Sequence, residues 1–126
     1  MKATLLSAAA LALLLAIGLG NSVYLAVQTQ AWERQLTAAE KCAVEEDWDS
    51  AALQLEALHR SWDKRESYLH VVTHHEDVEQ ALVLLEQCQL FAALADGDAL
   101  LTAGEQLRCQ YRHLAETEEL HLNNIL

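Results

Sequence analysis

No charged residue occurs between Ala3 and Trp32. Within that stretch, Ala3 to Val27 is apolar or small, broken only by Thr4, Ser7, Gly18, Gly20, Asn21 and Ser22. Twenty-five helical residues rise about 37 Å, enough to cross a hydrocarbon core of about 30 Å. A chain of 126 residues is too short to wrap such a helix in a soluble core. The stretch therefore predicts a transmembrane signal-anchor over residues 1–28, in contact with the lipid bilayer through residues 3–27, and a separate domain over 29–126. The competing reading is a cleaved signal peptide. Lys2 would be its positive n-region, Leu5 to Ile17 its apolar h-region, and Gly18-Leu19-Gly20 its small-residue cleavage site. Against cleavage, the apolar run resumes as Val23-Tyr24-Leu25-Ala26-Val27. The very short N-terminus with Lys2 favours staying inside, which makes this a single-pass cell-membrane protein with its C-terminal domain outside the cytoplasm. The alternative is a protein secreted after cleavage near Gly20.

The remaining residues carry seven of the eight Lys and Arg and all nineteen Asp and Glu, within a formal net charge of −11. Nucleic-acid binding needs a basic face and is not expected. Docking on anionic headgroups by charge is disfavoured for the same reason. At 52% apolar residues the chain is too hydrophobic for a disordered acidic tail, and with no Pro and four Gly it lacks the punctuation of a multi-stranded sheet.

Helical periodicity accounts for the rest. A first helix over about 28–46 places Trp32, Leu36, Ala39 and Ala43 on one face, and nothing between Val23 and Glu46 would break it from the apolar span. A second starts near Asp49 as cap, with Ala52, Leu55, Leu58 and Trp62 inward, and runs to about Thr73. A third, over about 75–95, turns Val78, Leu82, Leu85, Gln89 and Ala92 inward, widened by Ala81, Leu84, Cys88 and Phe91. Asp96-Gly97-Asp98 reads as a turn, Gly97 taking positive φ and Asp98 capping a fourth helix over about 99–118. That helix buries Leu100, Ala103, Leu107, Tyr111 and Leu114. The expected fold is all-α: a transmembrane helix, then a four-helix bundle of two antiparallel hairpins. A loose repeat at offset 49 pairs Asp47-Trp48-Asp49 with Asp96-Gly97-Asp98, Leu58 with Leu107, and Trp62 with Tyr111. It leaves tetratricopeptide-like pairing open beside the plain bundle.

Few residues suggest chemistry. His70 and His74 share a helical face at i, i+4, His75 follows, and Glu66 or Glu76 could add an oxygen ligand. Set against that, histidines at a helix corner are commonly hydrogen-bonded or solvated, and no Glu lies between the two as in the zinc-protease motif. No metal and no cofactor is expected. Cys42, Cys88 and Cys109 are odd in number and form no C-x-x-C. Buried free Cys is the reading for Cys42 and Cys88, with one disulfide left open in an exported domain. Trp32, Trp48, Trp62 and Tyr111 are expected to pack. No phosphate loop, nucleophile elbow or paired catalytic acid motif is present, so no catalytic site is expected.

The apolar N-terminus, Asp47-Trp48 with Ala52, Leu55, Leu58 and Trp62, His74-His75-Glu76 opening a helix, and the Asp96/Asp98 turn together resemble the DUF4363 family. The ending strengthens the resemblance: His113-Leu114, Glu116 to Glu119, then Leu120-His121-Leu122-Asn123-Asn124-Ile125-Leu126. The resemblance implies a small membrane-anchored helical protein of the Firmicutes type with no known function and no catalytic residue. The three Cys, and fewer Lys and Ile than that family carries, are departures. Independently, Leu120, Leu122, Ile125 and Leu126 are apolar where chains usually fray. They are expected either to fold back over the groove between the first and second helices or to dock on a partner. The functional expectation is a membrane-anchored interaction module that binds another membrane or envelope protein. A metal- or redox-responsive domain using His70, His74, His75 or the cysteines is the alternative.

Overall fold

The computed structural model describes the backbone of residues 1–125 and the side chains of residues 1–117. Four helices account for the chain: α1 (Lys2–Val44), α2 (Trp48–Val72), α3 (His75–Ala93) and α4 (Gly97–Ile125). No strand occurs among the described residues. Each helix packs on its chain neighbours, and α4 returns along α1 to close the ring. The result is an up-and-down bundle. Closure by α4 on α1 distinguishes it from open stacking of helix pairs.

The apolar N-terminal segment and the first bundle helix are one helix, because no Pro or helix-ending glycine interrupts them. Its two halves differ completely in environment. The most apolar 18-residue window, of mean hydropathy 2.2, has none of its residues buried. The second half buries Leu25, Thr29, Trp32, Leu36, Ala39 and Ala43. Those positions alternate in steps of four and three, the seam spacing that keeps one face of a helix on its partners over many turns.

The core extends through Ala51, Leu55, Leu58, Trp62 and Leu69 of α2, and Val78, Ala81, Leu84, Leu85, Cys88 and Ala92 of α3. Leu100, Ala103, Leu107, Tyr111 and Leu114 complete it from α4. The inward faces read from periodicity are these, with Leu82 and Phe91 half-buried and one clear exception. Ala52 is exposed and Ala51 takes its place, because α2 begins one residue after Asp47 and its register follows the four-residue step from Ala51 to Leu55. Gln89 is half-buried, where its Oε1 meets Nδ1 of His59 at 2.8 Å.

Both turns at the far end of the bundle depart from expectation in the same way. The chain reverses at Glu46 (φ 62°) and Ala95 (φ 53°), and no glycine has positive φ. In each turn the amide after the left-handed residue reaches back five residues, Asp47 to Cys42 O (2.9 Å) and Asp96 to Phe91 O (3.0 Å). The left-handed residue itself bonds three back, Glu46 to Ala43 O and Ala95 to Ala92 O. This is the Schellman closure of a helix C-terminus, made here without glycine. The following aspartate then caps the next helix: Asp47 Oδ1 accepts from Ser50 N (3.2 Å) and Asp96 Oδ1 from Ala99 N (3.1 Å). The caps are thus Asp47 and Asp96 rather than Asp49 and Asp98, which lie inside the first turns, where a negative charge suits the helix dipole. Gly97 is helical, and a Cβ there would lie 3.7 Å from the Trp48 ring.

α4 continues as helix to Ile125 and does not reverse after Glu118. The expected fold-back of the ending is therefore not the backbone path. The packing of Leu120, Leu122, Ile125 and Leu126 lies outside the described residues.

Candidate functional site at the span-proximal end of the bundle

The apolar half of α1 leaves the bundle at the end that holds the α2–α3 turn. A polar and aromatic seam joins α1 to α2 there. Tyr68 donates its hydroxyl to Asn21 Oδ1 (2.6 Å), and its ring meets Tyr24 edge-on with centroids 5.2 Å apart. Arg65 Nε donates to Tyr24 Oη (3.1 Å), and Arg65 Nη1 donates to the carbonyl and hydroxyl of Ser61 (3.1 and 3.2 Å). Trp32 Nε1 donates to the same Ser61 Oγ (2.9 Å). The seam runs from Trp32 in the core to Asn21 at the base of the exposed apolar segment. None of Asn21, Tyr24, Ser61, Arg65 or Tyr68 stands out from sequence spacing. The signal that could have found them is the four–three seam of α1, which reaches back to Leu25 and brings that part of the apolar segment into the bundle.

On the α2–α3 side, His70 and His75 come together. Their Nδ1 atoms lie 2.9 Å apart and their ring centroids 4.6 Å apart. The outer nitrogens face carboxylates: His70 Nε2 lies 3.5 Å from Glu66 and His75 Nε2 2.6 Å from Glu79. His74 does not join them. It precedes α3 in extended conformation (φ −70°, ψ 134°) and makes no side-chain cap. His113 meets Asp77 at 3.4 Å, linking α4 to the first turn of α3. Among the described residues no three His, Cys, Asp or Glu side chains converge to hold a metal ion.

Above this end, Trp32, Trp62 and Tyr111 form the centre of the core, with ring centroids 5.1, 5.3 and 6.1 Å apart. Trp62 Nε1 and Tyr111 Oη are buried without a hydrogen-bond partner among the described residues. Burial, with a smaller contribution from nearby Cys88, pushes the Tyr111 phenol well above its ordinary range. The Cys88 thiol is pushed up to about 12, by burial first and then by the Glu40 charge. A thiol so held stays protonated and unreactive. Cys42 is half-buried and Cys109 exposed, and all three are free. Trp48 is half-buried against Gly97 at the opposite end.

α1 and α4 are laced by ion pairs. Arg108 reaches Glu40, Glu105 (2.9 Å) and Thr37 (3.1 Å), and Arg112 reaches Glu33 (3.0 Å). Burial works to lower the Arg108 pKa, but its hydrogen bond to Glu40 and the Glu40 charge outweigh that and raise it. The close approach depends on Gly104, where a Cβ would lie 3.0 Å from Glu40 Oε2. The surface hollows are open grooves between helices, such as one between α3 and α4 lined by Gln87, Phe91, Thr102 and Gln106. The hollow at the far end is lined by Glu46, Asp96 and Asp98 beside Val44 and Trp48.

No curated protein and no solved structure matches this chain. A family profile does, over residues 20–125, from the base of the free apolar helix to the end of α4. The chain belongs to the DUF4363 family, described as a domain of unknown function.

Proposed function

We propose that the protein is a membrane-anchored interaction module, its acidic bundle held outside the cytoplasm to bind another membrane or envelope protein. The observation that carries this reading is the contrast within α1. Its most apolar window is wholly unburied, whereas the core helix of a soluble protein would be covered. A second support is the far end of the bundle, where Val44 and Leu94 are 70% and 65% exposed beside Trp48. The seam at Asn21 also bears on the alternative of cleavage near Gly20, since a cut there would leave the bundle whole. The mass of the mature chain in carbonate-washed membranes separates the two. An intact N-terminus in the pellet supports the anchor, and a chain starting near Asn21 in the soluble fraction rejects it. Crosslinking in native membranes then tests the partner. Val44→Asp with Leu94→Asp should abolish a specific crosslink, and an unchanged pattern would remove that face from the proposal.

The paired histidines favour one second reading, a metal-responsive role. If each Nε2 carries its ring proton toward the facing carboxylate, the two Nδ1 lone pairs face each other, and a cation between them would relieve the repulsion. That cation would be a transition metal completed by water. Zinc titration of the full chain in detergent tests it. Saturable one-to-one binding lost in His75→Gln and kept in His74→Gln supports the reading, and binding indifferent to His75→Gln ends it.

A further inference from the structure

We infer that the span-proximal end of the bundle is seated in the bilayer, with Tyr24 and Tyr68 at headgroup level and Val71 at the edge of the hydrocarbon. The inference rests on the anchor reading above and adds to it the surface by which the domain meets lipid. Length carries the argument. Counted from Ala3, the first residue after Lys2, about 20 helical residues are needed to cross a core of about 30 Å. That places the far face of the hydrocarbon near Ser22. Yet α2 already clasps α1 at this level, since Tyr68 is bonded to Asn21. α2 runs antiparallel to α1, as the bonds from Trp32 to Ser61 and from Tyr68 to Asn21 require. Its last turn, to Val72, therefore continues about 6 Å further toward the N-terminus of α1. The part of α1 free of α2 is too short to cross unaided. Because α1 has no break, the bundle cannot swing clear.

The side chains at this end suit that depth. Val71 is 83% exposed, more than any other large apolar side chain of the described bundle, and Val23 and Val27 on α1 are exposed beside the seam. Tyr24 and Tyr68 are amphipathic rings of the kind that settle at a membrane–water boundary. Arg65 is held by Tyr24 and Ser61, and no carboxylate pairs with it among the described residues, which leaves its charge for lipid phosphate. The domain is acidic overall; at this end Glu66, Asp77 and Glu79 each face a histidine, while Glu76 and Glu116 are exposed to water at the rim.

The test uses the full chain in phosphatidylcholine–phosphatidylglycerol nanodiscs, with Cys42→Ser and Cys109→Ser removing the accessible thiols. A nitroxide is placed in turn at Leu11→Cys, Val71→Cys and Leu53→Cys, the last an exposed α2 residue near the far end. Accessibility to oxygen, which partitions into lipid, is compared with accessibility to a polar nickel chelate. The expected oxygen-to-nickel ratio is high at 11, at least threefold above position 53 at 71, and low at 53. A ratio at 71 equal to that at 53, with 11 still high, overturns the inference and leaves the anchor standing. A low ratio at 11 rejects the anchor itself, and the inference with it.

Discussion

The α1–α2 and α3–α4 hairpins share a backbone and differ in what fills it. At offset 49, a whole number of heptads, Glu46 and Ala95 both take left-handed φ, Asp47 and Asp96 both cap, and every backbone bond in one turn has its counterpart in the other. The side chains break the correspondence systematically. Trp32 stands opposite Ala81 in the alignment, Trp48 opposite Gly97, and Leu55 opposite Gly104. At these three positions the first hairpin supplies bulk where the second supplies space, and at Ala51, aligned with Leu100, the reverse holds. Trp48 lies over Gly97, and Gly104 lets Glu40 of α1 lie against α4. A near-symmetric frame thus gains a unique packing from asymmetric volumes.

That comparison can be broken or sharpened by unfolding the full chain in micelles with denaturant, followed by circular dichroism. The largest effect is expected from Trp62→Ala, which empties the centre and should cost about 3–5 kcal/mol. A loss below 1 kcal/mol would mean that the aromatic cluster is not the centre of the core. Gly104→Leu, which copies the first hairpin's residue into the second, should cost about 1–3 kcal/mol by overpacking against Glu40. Asp47→Ala and Asp96→Ala should each cost about 1 kcal/mol, and by similar amounts, since each removes one cap bond of the same geometry. Markedly unequal losses would show that the turns are alike in form only. The smallest change runs the other way. Glu46→Gly and Ala95→Gly should each stabilise by about 0.5–1 kcal/mol, because glycine takes positive φ without a Cβ clash.

Much of this frame was readable from residue order because the core face of a helix repeats at fixed spacing. Trp32, Leu36, Ala39 and Ala43 or Leu100, Ala103, Leu107, Tyr111 and Leu114 declare themselves. The turns did not, for a local reason. Gly97 is the residue that tolerates positive φ most easily, but the Schellman bonds require the reversal two residues beyond the last helical turn, and that position is Ala95. The offset-49 alignment held the clue, since it set Ala95 against Glu46. The histidines illustrate a similar limit. A four-residue spacing brings His70 and His74 together only if the helix continues, and Thr73 (φ −130°, ψ 172°) ends it. The chain swings His74 outward and returns His75 to meet His70. The seam of Tyr24, Tyr68, Asn21 and Arg65 joins residues more than forty apart in the chain, a juxtaposition that periodicity within one helix does not encode.

An uninterrupted α1 has a mechanical consequence. A rod of 43 residues is about 65 Å long, and roughly the last 36 Å of it is built into the bundle. If lipid grips the leading half as proposed, a tilt of about 10° would carry the turn at Val44 sideways by roughly 6 Å, with no hinge to absorb the motion. A shaft so anchored would convert reorientation in the bilayer into displacement of whatever the remote tip touched, and the same stiffness would let a load on the tip be felt below.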